Sequence, residues 1–79
     1  MTHEDLWRAI DMMAAANGIS VCAMARRAGL HETTFNPSKR YNYRGLPRWP
    51  TFDTINKTLD AMNMSMYDFL ALVARAHGE

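Results

Sequence analysis

Residues Ser20–Arg40 read SVCAMARRAGLHETTFNPSKR, and this stretch decides the fold. Ser20 can cap a helix in which Val21, Met24, Ala25 and Ala28 recur on one face, and Gly29 can take the left-handed conformation that ends it. The spacing predicts a short second helix over 21–28. A third helix is expected to open near His31 or Glu32, turning Leu30 and Phe35 inward and Thr33, Thr34 and Asn36 outward. Pro37 limits it, because proline lacks a backbone donor and disfavours helical geometry at the residue before it. The helix either ends near Asn36 or resumes with Asn36 as a new cap and Pro37 at its first position. In both cases Lys39 and Arg40 sit just past its end.

The flanks of this stretch are also helical in pattern. Thr2 and Asp5 have the spacing of a capping box, Leu6, Ile10 and Met13 follow at helical intervals, and Asn17-Gly18 is a stop signal. The first helix therefore runs from about Thr2 to Asn17. Tyr41–Pro50, with Gly45, Pro47 and Pro50, has no usable periodicity and reads as a loop. Trp49 and Pro50 are expected to seal that loop onto the core, and Tyr41 and Tyr43 to supply hydroxyls. Thr51 can cap a fourth helix with Phe52, Ile55, Leu59 and Met62 on one stripe and Asn63 closing it. Ser65 and Asp68 repeat the capping-box spacing for a fifth, whose buried side would hold Met66, Phe69, Leu70 and Val73, with 76–79 fraying. The expectation is one all-α domain over residues 1–79, built of five short helices, in which most methionines fill the core.

Composition narrows the function classes. A chain of 79 residues has room for one thin core, its 48% apolar content argues against disorder, and no apolar run approaches the ~18 residues of a membrane span. The first five residues lack the pattern of a secretory signal, and a single cysteine cannot form an internal disulfide, so a cytoplasmic location is expected. No set of acid, base and nucleophile converges in sequence, and no glycine-rich phosphate loop is present, so catalysis is not expected. His3, His31, His77 and Cys22 show no paired ligand spacing. Neither a metal, a cofactor nor a small-molecule substrate is expected; His31 reads as a helix-start residue and Cys22 as a small apolar group.

The net charge of +1 conceals an uneven distribution. Between Ser20 and Pro50, Arg26, Arg27, Lys39, Arg40, Arg44 and Arg48 face Glu32 alone, whereas both flanks are acidic. A basic middle third attracts polyanions by counterion release and long-range steering.

Met24, Ala25, Ala28, Gly29, Leu30 and Phe35 match the small and apolar positions of the helix-turn-helix in the lambda-repressor-like (XRE) family, and the chain resembles that family over nearly its whole length. The run GLHETTFNPSKR, followed by RWPTFDTINKTLDAMNMSMYDFLALV, is similar more narrowly to the N-terminal domain of repressors that often carry a LexA-like peptidase domain. The resemblance implies a compact five-helix fold, with the helix-turn-helix at helices two and three. It also implies a recognition helix at helix three and a homodimer on a palindromic operator of double-stranded DNA. Pro37 and Ser38 depart from the family pattern and shorten the implied recognition helix. No serine-lysine peptidase domain follows in this sequence.

The residue types suit DNA reading by a transcriptional regulator, a repressor in the first instance. Thr33, Thr34 and Asn36 are short polar groups able to reach base edges: Asn36 can pair with adenine, and a threonine methyl can meet a thymine methyl. Lys39, Arg40, Arg44 and Arg48 are placed for phosphates, with Arg44 or Arg48 entering a minor groove. Ser20, at the start of helix two, and Arg26 and Arg27 on that helix complete the candidate phosphate set. The bland alternatives are an exposed polar face at Thr33, Thr34 and Asn36, and an ion pair across helices for Arg26 or Arg27. The competing function is a helix-turn-helix-fold module that binds a protein and not DNA.

Overall fold

The computed structural model describes residues 1–78, which hold four α-helices and one 3-10 turn: α1 (His3–Ala16), α2 (Val21–Arg27), the 3-10 turn (Pro37–Lys39), α3 (Phe52–Ala61) and α4 (Met66–Gly78). No strand occurs among the described residues; a single antiparallel bridge joins Tyr41 and Pro47.

Short-range chemistry sets the helix boundaries. Thr2 Oγ1 accepts from the Asp5 N–H at 3.1 Å while the Asp5 carboxylate accepts from the Thr2 N–H at 3.0 Å, and Ser65 and Asp68 repeat this reciprocal box at the start of α4. Ser20 and Thr51 cap α2 and α3 by accepting from Ala23 and Thr54. The other ends of α1, α2 and α3 share one geometry. Gly18, Gly29 and Asn63 have φ of 68°, 74° and 54°, and the residue after each returns its N–H to a carbonyl of the last full turn: Ile19 to Ala14, Leu30 to Ala25, Met64 to Leu59.

The core lies where α1 packs along α4. Leu6, Ile10, Met13 and Ala14 meet Phe69 and Val73, and Met24 and Ala25 of α2, Leu59 and Met62 at the end of α3, and Phe35 close the cluster. Met13, Met24 and Met62 are buried, and Met64 and Met66 pack against its edge, as the filler expectation requires. Thr58 is fully buried, and its hydroxyl is satisfied by donating to the Thr54 carbonyl at 2.8 Å. No helix among the described residues is long and apolar enough to cross a membrane.

Four expectations are corrected. The third helix does not form. Residues 32–35 make turns with i→i+3 bonds, from Thr34 to His31 and from Asn36 to Thr33, and Asn36 is extended at φ −62°, ψ 147° before the 3-10 turn. Pro37 disfavours helical geometry at Asn36, and of the two outcomes open there the chain takes the second, resuming as a single 3-10 turn with Asn36 at its cap and Pro37 at its first position. Phe52 and Leu70, placed on buried stripes by their spacing, are 73% and 50% exposed, because α3 and α4 bury narrower faces than the pattern suggests. Residues 76–78 remain helical: Ala76 is buried and His77 Nδ1 lies 2.8 Å from Asp5 Oδ2, which ties the end of α4 to the start of α1. Trp49 is half-exposed and packs T-shaped against His3, with ring centroids 5.6 Å apart, so it does not seal the loop. Glu79 lies outside the described residues.

Candidate functional site

The segment from His31 to Thr51 has little regular structure, yet polar contacts with α1 hold it in place. His3 Nε2 sits 2.8 Å from the Arg40 carbonyl oxygen and 3.0 Å from that of Arg48, which requires the nitrogen to carry its hydrogen and donate. The Trp7 indole N–H, 2.9 Å from that same nitrogen, then goes to the Arg48 carbonyl at 3.0 Å. One turn of α1 thus fixes two points of the segment. The His3 ring also packs at 4.9 Å against Tyr41, between centroids.

Arg40 is the third pin. Its guanidinium forks onto the Asp11 carboxylate at 2.9 and 2.6 Å, donates to the Phe35 carbonyl at 3.0 Å, and lies 4.9 Å from the centre of the Trp7 ring. Its side chain is 15% exposed, against 47% for Asp11. Such a group is fastened to the scaffold and is not presented to solvent.

The expected loop folds as a tight hairpin. Arg48 N–H bonds to the Arg40 carbonyl, Asn42 N–H to the Leu46 carbonyl, and Gly45 N–H to the Asn42 carbonyl. Asn42 Oδ1 accepts from both the Arg44 and Leu46 N–H groups, and Gly45 takes φ 78°. This is a type I turn closed by a left-handed glycine, and its signal was in the sequence: asparagine at the first turn position and glycine at the fourth. At the tip Tyr43 is 91% exposed, and Arg44 lies over its ring at 5.4 Å.

Between the turns at 31–36, the 3-10 turn and the segment leading into α3 lies an open cleft of about 450 Å³. Thr33, Thr34, Lys39 and Arg48 line it together with His31, Trp49, Thr51 and Thr54, over a floor that includes Trp7. No carboxylate lines it. The threonine hydroxyls are already engaged: Thr34 donates to the His31 carbonyl, Thr33 Oγ1 meets His31 Nδ1 at 2.8 Å, and Thr51 donates to Thr54 at 3.0 Å. His31 Nδ1 also accepts from the Thr33 N–H at 3.2 Å, so the ring hydrogen sits on Nε2. The side chains of Lys39 and Arg48 have no hydrogen bond or ion pair among the described residues.

Of the ten residues that the sequence singles out, the structure therefore brings four into one cleft: Thr33, Thr34, Lys39 and Arg48. Asn36 and Arg44 flank this region without lining it, Asn36 half-buried and Arg44 on the hairpin tip. Arg26 pairs with Glu32 at 3.2 Å, with both side chains more than half exposed, while Arg27 stands exposed beside it. Ser20 is engaged as the α2 cap, and Arg40 in the scaffold. Cys22 donates to the Glu32 carbonyl at 3.2 Å, and no group of three His, Cys, Asp or Glu among the described residues could hold a metal ion.

Among the described residues, Asp5 is the one group whose acidity is clearly displaced. The Thr2 N–H, with further help from His77, holds its carboxyl below the ordinary range against the opposing effect of its burial. Its partners place it in the α1–α4 scaffold and not in the cleft.

No family model, curated protein or solved structure matches this chain.

Proposed function

We propose that this chain is a sequence-specific double-stranded DNA-binding domain of a transcriptional regulator, a repressor that acts by occupying its site. The observation that carries the proposal is the cleft: two unpaired cations, Lys39 and Arg48, stand with Thr33 and Thr34 in a surface that no carboxylate lines. Arg44 on the hairpin tip and Arg27 on α2 are further exposed cations outside the cleft, and the local field at the cleft favours a polyanion. The proposed fold family is the lambda-repressor-like one, in which α2 and the following turns would occupy the place of the helix-turn-helix. Because residues 32–35 form turns, base edges would be met by Thr33, Thr34 and Asn36 from a compact loop, and phosphates by Lys39, Arg44 and Arg48. Arg40 would contribute indirectly, by fixing the backbone between them.

Pairing of two copies on a palindrome belongs to the same proposal. Selection of bound sequences from a random duplex library tests both parts: an enriched inverted repeat is expected, and a pool that stays random after several rounds would contradict sequence-specific recognition. The exposure of Tyr43, Leu46 and Phe52 favours a second reading, a protein-interaction module, for which low-salt duplex would give no mobility shift.

A further inference from the structure

We infer that the cleft beneath Trp49 binds a nucleoside monophosphate, with the phosphate between Lys39 and Arg48 and the base on the exposed part of the Trp49 ring.

Size, charge and surface chemistry converge on this ligand. The volume of about 450 Å³ falls in the range of small-molecule sites and exceeds what a bare phosphate needs. Lys39 and Arg48 supply the charge, and the absence of any lining carboxylate leaves it uncompensated. The hydroxyls of Thr33, Thr34 and Thr51 donate within the protein, so an anion depends on the two cations, on His31 and on the Thr54 hydroxyl, which accepts from Thr51 and has no acceptor of its own among the described residues. The tautomer fixed by the Thr33 N–H leaves the His31 Nε2–H as a third donor, without a partner among the described residues. Trp49 is 51% exposed and uses one side against His3, which leaves ring surface for a second aromatic group. Its position is preset, because the preceding residue is held by His3 and Trp7 through the Arg48 carbonyl. A free nucleotide and an unpaired nucleotide within a strand present the same chemistry.

This inference shares Lys39 and Arg48 with the duplex-binding proposal but does not rest on it. The test follows backbone amide and indole NMR signals of the full chain during titration with adenosine 5′-monophosphate, adenosine, inorganic phosphate and a decathymidylate single strand. The monophosphate should move the signals of Thr33, Lys39 and Trp49 saturably and bind about tenfold more tightly than adenosine or phosphate alone. Arg48→Gln and Trp49→Leu should each weaken it about tenfold, one by removing a charged donor and the other a stacking surface. Melting curves of both variants verify folding, and Arg48→Gln, at an exposed side chain, keeps the test open if Trp49→Leu fails to fold. A strand that moves the same signals more tightly than the monophosphate assigns the ligand to nucleic acid, and a monophosphate that alone does so assigns it to a free nucleotide. Either supports the inference. It is overturned if the monophosphate gives no saturable shift in the cleft, if phosphate alone binds as tightly, or if Arg48→Gln leaves the affinity unchanged. Duplex binding measured on the same sample separates the proposals: monophosphate without duplex binding removes only the DNA reading, and duplex without monophosphate binding removes only this one.

Discussion

The α1–α4 half of the molecule and the segment from His31 to Thr51 are held by different physics. In the first, apolar residues one helical turn apart bury their side chains against one another, and the contribution scales with the area removed from water. In the second, Phe35 is the only side chain that reaches the core as a fully buried anchor; His3, Trp7 and Arg40 hold the backbone by bonds to carbonyls and to Asp11. Helices need their surface for packing, whereas a segment pinned through its main chain can leave some of its side chains free, here Lys39 and Arg48. That freedom is why Lys39 and Arg48 can stand unpaired in a cleft.

The contrast can be broken most directly at Phe35, where the irregular segment borrows the mechanism of the helical half. Phe35→Ala should destabilise the fold by about 3–5 kcal/mol in urea denaturation, as much as a truncation within α1. A loss below about 1 kcal/mol would show that the anchor is dispensable. Arg40→Met comes next, at about 2 kcal/mol. The estimate is held below that of a fully buried pair because Asp11 is half-exposed and regains water. Hydrogen exchange should quicken at Asn42 and Arg48 in this variant while α4 stays protected; equal loss in both regions would mean that the segment is not a separately pinned unit. Gly45→Ala places a side chain at φ 78° and should lower stability by about 1 kcal/mol with the core unchanged.

The helical half should in turn respond to acid. The carboxyl of Asp5 is held below its ordinary value, so its contribution is fully present above about pH 4 and is lost as pH falls through that value toward the lowered native one. Asp5→Asn should flatten the stability profile below pH 4, and an unchanged profile would remove Asp5 from the account of acid sensitivity.

Legibility in the sequence divides along the same line. Thr2 with Asp5, Ser65 with Asp68, and Gly18, Gly29 and Asn63 announce helix ends through bonds that span six residues or fewer, and all of them are found. The third helix was a contest between an apolar spacing and Pro37, and the proline prevailed. Arg40 could not be separated from its basic neighbours by sequence, because Asp11 lies 29 positions away. The same distance effect hid His3, which reaches across 37 and 45 positions to fix the segment. Asn42 and Gly45 were readable as a turn, but the prolines around them gave the stretch the look of an unstructured loop. Thr33, Thr34, Lys39 and Arg48 were identified by residue type and charge; that they share one cleft follows only from the pins.

We propose contact between duplex DNA and the uncompensated positive surface of the pinned segment. It is tested most directly by the salt dependence of duplex binding, measured by fluorescence anisotropy for the native chain and for Arg48→Gln. With Lys39, Arg44 and Arg48 each neutralising one phosphate, log affinity should fall with log salt at a slope of about −2.7 per monomer, and Arg48→Gln should make that slope shallower by about 0.9. Absence of binding at about 50 mM salt, or a slope that Arg48→Gln leaves unchanged, would contradict it.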